Sequence, residues 1–360
     1  MLHHSPAIDT PLTRALGIDV PLICGAMYPC SNAELVAAVS GAGGIGIVQP
    51  ISLTYVYGHD FREGLRLIRK LTDKPIGMNV LTEKSSERYL ERMRRWLDIA
   101  VEEGVRFFVS SLGDPRWIVD TVEGVGGVVY HDVTERRWAQ KAVDAGVHGL
   151  IAVNDRAGGH AGSLSPEALL AEIGDLGLPV ACAGGIGDAA GFARALQMGY
   201  VGVQAGTRFI ATTECASPEE YKQAVVSAGE EDIVLTHRLT AVPVAVINNE
   251  RVKREGTEVP WLARRLLANA RTKHWVRAFY SLKSVLGLKK AATGTMSHKD
   301  YFQAGKSVAG VARIENAGDI VRRWAGVVTK QEVFSRWNNR SDISDPSEYV
   351  RELRKGRFRD

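Results

Sequence analysis

A repeating unit runs along the first two thirds of the chain: a helix-like stretch ends in glycine, and a short apolar run follows. AGGIGIV (42–48), EEGVRFFVS (102–110), DAGVHGLIAV (144–153) and MGYVGVQAG (198–206) carry it. Glycine after a helix is the usual left-handed stop, and a brief β-branched run behind it reads as a buried strand. Such runs fall near 22–24, 45–48, 76–79, 106–110, 127–131, 149–153, 179–183 and 202–205. Helical segments separate nearly all of them. Ser31-Asn-Ala-Glu34 has the spacing of a capping box. Ser165-Pro166-Glu167 offers a cap with proline at the first helical position. Strict alternation implies parallel pairing. Eight units over roughly 200 residues predict an α/β fold of the (β/α)8 TIM-barrel type. A doubly wound sheet fits less well, because no G-x-G-x-x-G follows the first strand.

The rhythm breaks after about residue 215. Residues 1–215 are expected to form the barrel. Residues 216–310 read as a smaller, mostly helical domain over the barrel mouth. Residues 311–360 read as C-terminal helices that return to the barrel and end in a charged tail. A formal net charge of +4 is too mild to imply nucleic acid. No run of roughly 18 apolar residues predicts a membrane span, and the N-terminus lacks a signal-peptide core. A cytoplasmic protein is expected. Cys24, Cys30, Cys182 and Cys215 are scattered, which favours reduced thiols over disulfides or a metal site.

In such barrels the chemistry sits at the C-terminal ends of the strands, and phosphate often binds after strands 7 and 8. Strand 7 ends in ACAGGIGD (181–188) and strand 8 in QAGTRF (204–209), each followed by a helix. Both loops can aim backbone N–H groups at an anion near a helix N-terminus. Gly184, Gly185 and Gly206 leave room for close approach, and Thr207 adds a hydroxyl; two plain tight turns are the competing reading. NDRAGGHAG (154–162) follows strand 6 and sets His160 among Gly158, Gly159 and Gly162. An imidazole there can exchange a proton near neutral pH, although a lone histidine is more often a surface residue. Asn79 ends strand 3, where an amide could bond the edge of a heterocycle or simply make a turn. Gly25, Ala26 and Met27 end strand 1, small enough at their start for a flat ring or for a turn.

The segments GAM, PIGMN (75–79), AGGHAG (157–162), AGGIGD (183–188) and QAGTRFIAT (204–212), in that order, resemble the nitronate monooxygenase family, formerly called 2-nitropropane dioxygenases. The likeness spans about residues 10–215 and continues more loosely to FQAGKSVAGV (302–311). It implies an FMN-dependent barrel oxidoreductase. The FMN phosphate would be held by Gly184, Gly185, Gln204, Ala205, Gly206 and Thr207. Gly25, Ala26, Met27, Asn79, Gly158 and Gly159 would border the flavin. His160 would be the base that removes the proton α to a nitro group, with O2 as oxidant. The chain departs from the family pattern at Arg156 (usually glutamate), Val153 (often glutamine) and Asp132 (often lysine). FMN binding tolerates these changes more easily than nitronate oxidation does.

Two other functions stay open. One is an NAD(P)H-dependent reductase of enoyl thioesters or quinones, which shares the AGGH element. The other is a phosphate-ligand-binding protein without turnover. Residues 259–290 bear on the choice. They carry eight Lys and Arg, no acidic residue, and interleaved Trp261, Trp275, Phe279 and Tyr280. A basic lid of this kind would attract the phosphates of a CoA thioester, which a small nitronate does not need. Small-molecule substrates are expected, without nucleic acid or membrane, and with room for a homodimer.

Overall fold

The computed structural model of the protein describes residues 7–82, 87–239, 242–259 and 301–328. Eight strands form one closed parallel barrel in sequence order: β1 (Leu22–Cys24), β2 (Ile45–Val48), β3 (Ile76–Leu81), β4 (Phe107–Ser111), β5 (Val128–Val133), β6 (Gly149–Val153), β7 (Val180–Ala183) and β8 (Gly202–Ala205). Closure is made by β1 on β8, with Ile23 opposite Gln204. Each strand lies within a residue or two of its expected place.

Alternation along the strands sends one set of side chains inward. Ile23, Ile45, Ile47, Phe107, Val109, Val128, Tyr130, Ile151 and Ala181 fill the barrel interior. A Cβ on Gly149 would lie 2.3 Å from the Tyr130 ring, so a glycine is what lets that tyrosine occupy the centre. The next inward positions toward the mouth are Ser111, Asp132, Val153 and Ala183. The period of two therefore decides which side chains form the floor of the site.

Helices α1 (Pro11–Leu16), α2 (Ala33–Gly41), α3 (Phe61–Leu71), α4 (Glu87–Glu102), α5 (Arg116–Val122), α6 (Arg136–Asp144), α7 (Pro166–Ile173), α8 (Ala189–Met198) and α9 (Thr207–Ile210) accompany the strands. Helix α7 starts as its sequence predicts, with Ser165 Oγ accepting from Ala168 N at 3.2 Å and Pro166 at the first position. Helix α2 does not. Its N-cap is Asn32, without a side-chain cap bond. Ser31 Oγ accepts from Met27 N at 2.9 Å instead. The Asn32 amide bridges to the chain 182 residues on, donating to Glu214 O at 2.8 Å. A tertiary contact has taken the capping group.

Beyond the barrel come α10 (Glu219–Ser227), β9 (Ile233–Thr236), β10 (Val244–Ile247) and α11 (Glu250–Glu255), then a 3-10 turn at Lys306–Gly310 and α12 (Ala317–Gly326). Strands β9 and β10 pair antiparallel, so the described part of 216–310 is less helical than its sequence predicts. Helix α12 packs on α2 and α8. Its Trp324 is fully buried, with ring centres 5.7 Å from Phe192 and 6.3 Å from Phe209. Glu315, just before α12, pairs with the buried Arg208 of α9 and with Arg323 at 2.8 Å. These arginines hold its carboxyl at about 2, below the usual range. The basic segment 259–290, apart from Val259, and the charged tail lie outside the described residues.

Candidate active site

A cavity of about 1030 Å³ opens at the C-terminal ends of the strands. It brings together the candidate catalytic and cofactor-binding residues: Gly25, Ala26, Met27, Asn79, Gly158, Gly159, His160, Gly184, Gly185, Gln204, Ala205, Gly206 and Thr207 all line it, while Gly162 and Arg156 do not.

The loop after β7 needs its glycines. Gly184 and Gly185 hold φ of 118° and 77°, a region that side chains rarely enter. A Cβ on Gly184 would stand 2.3 Å from Asn154 Oδ1 and 2.6 Å from Ala157 N. Asp188 then caps α8, accepting from Gly191 N at 2.7 Å. After β8, Gly206 leads directly into α9, and Met27 Sδ would lie 3.3 Å from a Cβ there. Thr207 Oγ1 accepts from Gly305 N at 3.0 Å. Its hydroxyl hydrogen remains available to donate.

The His160 loop is organised by Asn154, which is fully buried. Its amide donates to Gly184 O at 3.1 Å, and its Oδ1 accepts from Arg156 N at 2.9 Å. Its carbonyl accepts from Gly162 N at 3.1 Å. One side chain thus joins the histidine loop to the glycine loop of β7. From above, Ala245 N donates to Gly159 O at 2.8 Å and Lys306 N to Arg156 O at 2.9 Å. A Cβ on Gly158 would meet Gly305 N at 2.9 Å. The two backbones touch, which explains glycine on both sides. His160 is exposed to the cavity. The walls around it displace enough water to push its pKa below the ordinary 6.5. A neutral imidazole at physiological pH can accept a proton. Arg156 pairs with Glu230 and lies against Gly185, where a Cβ would meet its Nε at 2.6 Å.

Asp132 stands on the cavity floor. Ser111 Oγ donates to its Oδ2 at 2.6 Å, while its Oδ1 is shielded from water without a partner. Burial raises its pKa from 3.8 to about 6, against the lowering effect of Ser111 and Gln204. His131 faces the other way. Its Nδ1 lies 2.7 Å from Ser110 Oγ, and burial pushes it down to about 4. It is a neutral ring at physiological pH.

The Asp132 shift has a sign that can be measured. The protonated form is favoured in the folded state. Its contribution is full below pH 3.8 and is lost as pH rises through about 6. Two units correspond to about 3 kcal/mol. Asp132→Asn is therefore expected to raise stability by about 2–3 kcal/mol at pH 8 and to flatten the pH dependence between 4 and 7. Thermal melts of the flavin-free protein across that range check it; parallel curves for both proteins would refute it.

Several cavity residues carry no local signal in the sequence. Gln49, Ser111, Gln303 and Ser307 line the wall, and Asn154 sits behind it. The cavity also runs outward between α5 and α6, past Leu112–Arg116, Trp138 and Lys141. By strand order this arm, at β4 and β5, lies across the mouth from the glycine loops of β7 and β8. Trp138 is 40% exposed there, with Arg137 and Lys141 cations 4.6 and 4.7 Å from its ring centre.

Known proteins resemble this chain at both levels. The family model described as nitronate monooxygenase matches residues 9–325. A Mycobacterium tuberculosis protein named (3aS,4S,5R,7aS)-5-hydroxy-7a-methyl-1-oxo-octahydro-1H-indene-4-carboxyl-CoA dehydrogenase is 30% identical, covering 69% of this chain and 68% of its own. A nitronate monooxygenase of Pseudomonas aeruginosa is 32% identical, over 59% of this chain and 72% of its own. FabK of Thermotoga maritima superposes with a TM-score of 0.72 at 24% identity, covering 92% of this chain and 98% of that one. At that identity the likeness concerns the fold. With the barrel, the two glycine loops and the AGGH loop all falling inside the matched span, the chain belongs to the nitronate monooxygenase family of flavin-dependent oxidoreductases.

Proposed function

We propose that this protein is an FMN-dependent oxidoreductase acting on the carbons beside the carbonyl of an acyl thioester. The observation that carries the reading is the cavity. Sites for one small ligand run to about 300–1,000 Å³. This one holds about 1030 Å³ and crosses the whole mouth, from the glycine loops to Trp138 and Lys141. The arm between α5 and α6 lies across the mouth from the glycine loops, and a small nitronate has no need of it. An acyl thioester has a long handle to lay there. The CoA ester in the name of the mycobacterial relative agrees with this.

The residues fit a flavin mononucleotide. Gly184, Gly185 and Gly206 line the cavity with backbone alone, held close against Asn154, Arg156 and Met27, and Thr207 adds a hydroxyl. Asn79, Gly158 and Gly159 border the space beside it. When bound, the flavin supplies two-electron chemistry. The protein supplies proton handling. His160, neutral and open to the cavity, takes the proton α to the carbonyl or returns it. The thioester carbonyl makes that proton acidic, as a nitro group would. Asp132 holds a second proton at the cavity floor, near its own pKa at physiological pH.

Nitronate oxidation is the second reading. It is favoured by the AGGH loop and by the Pseudomonas aeruginosa relative, and it uses the same base. One panel separates the two. Acid should release FMN, about one per chain; FAD would refute the cofactor. Holoprotein is then mixed anaerobically with butyryl-CoA, with crotonyl-CoA plus NADH or NADPH, and with propyl nitronate. A change in flavin absorbance or substrate conversion with the CoA esters is expected. Response to the nitronate alone would sink the thioester reading and leave the second.

A further inference from the structure

Two acceptor atoms on the cavity floor lack donors. Asp132 Oδ1 and Gln204 Oε1 are both shielded from water, and neither has a hydrogen-bond partner. A shielded acceptor without a donor is destabilising. Such a pair calls for either a proton or a ligand. Gln204 stands two residues before Gly206, on the strand that leads into the phosphate cradle, and its side chain lies against Gly25. Gln204, Asp132, Gly206 and Thr207 all line the one cavity, so a ligand whose phosphate is held at Gly206 and Thr207 would have this pair within its site.

We propose that Asp132 grips the flavin as a carboxylic acid, donating the hydrogen on Oδ1 to an acceptor atom of the flavin ring, so that flavin affinity depends on pH. The inference rests on the flavin reading above. Ionisation would replace that donor with a bare negative charge in a water-poor layer. Hydrogen bonding from Ser111 and Gln204 favours the charge, and burial outweighs it. Ser111 from β4 and Gln204 from β8 are neutral. His131, on the same strand, is neutral and turned outward. His160, on the loop after β6, is neutral above its lowered pKa. No Lys or Arg forms an ion pair with Asp132 among the described residues. The pKa of about 6 puts the transition within reach of physiological pH.

The test follows flavin release from diluted holoprotein by fluorescence, from pH 5.5 to 8.5, in wild type, Asp132→Asn and Asp132→Ala. In wild type, Kd for FMN should rise up to about tenfold per pH unit above 6. Asp132→Asn keeps a donor that cannot ionise and should hold FMN with little pH dependence. Asp132→Ala should bind weakly throughout. The FMN phosphate has its own second pKa near 6. Its ionisation works in the opposite direction and is common to all three proteins. An Asp132→Asn profile that tracks wild type would overturn the proposal while leaving the flavin reading intact. A well-folded wild-type protein that retains no flavin at any pH would remove both.

Discussion

Replacing His160 with alanine is expected to lower kcat by about 10²–10⁴-fold while the protein stays yellow. The magnitude is that of a lost general base. The retention of flavin follows from the geometry. The His160 loop is held by Asn154, by Ala245 N on Gly159 O and by Lys306 N on Arg156 O. None of these bonds uses the imidazole. The glycine cradle belongs to the neighbouring strands. The pH profile offers a second readout. Desolvation lowers the His160 pKa, so kcat/KM should rise with pH along a limb centred below 6.5, and the variant should lack that limb. Steady-state kinetics with the substrate found in the panel above would measure both. Near-wild-type kcat in His160→Ala would take the base role from this residue.

The opposite pattern is expected for Gly184→Ala: a folded barrel with flavin content reduced more than tenfold. The added Cβ would sit 2.3 Å from Asn154 Oδ1, and the residue would have to hold φ of 118°. That backbone region costs a side chain about 1–3 kcal/mol. Together these displace the loop and its amide groups from the phosphate position. Strand β7 and its buried side chains are untouched, so circular dichroism should report an intact fold. Absorbance of the purified protein gives the flavin content. A fully loaded variant would place the phosphate elsewhere.

The barrel was legible because each of its units is local. A glycine stop and a four- or five-residue apolar run sit together in the chain, as in MGYVGVQAG. The glycine loops were legible for the same reason, being short and placed at strand ends. The remainder depends on contacts between distant segments. Asn154 reads as an ordinary turn residue, yet it ties two loops through Gly184. Ser31 reads as a helix cap, but Asn32 takes that place because its amide finds Glu214. Strands β9 and β10 are apolar runs, IVLT and VAVI, that lack the flanking βα rhythm. Asp132 reads in the sequence only as a departure from the family pattern. Its raised pKa comes from burial among inward-facing residues of several strands, which no linear spacing reveals.

The contact between Gly158 and Gly305 bears on how the protein is made. Thr207 and Arg156 bond to backbone that follows them by roughly one hundred residues or more, at Gly305 and Lys306. All eight strands end by residue 205, so a ribosome has released the whole barrel before the rim above the cradle exists. Chains emerge N-terminal segment first. The histidine loop therefore stays unclamped until the segment around residue 305 has been made. A chain ending between 210 and 300 would lack both this clamp and helix α12, whose Trp324 packs on Phe192 and Phe209.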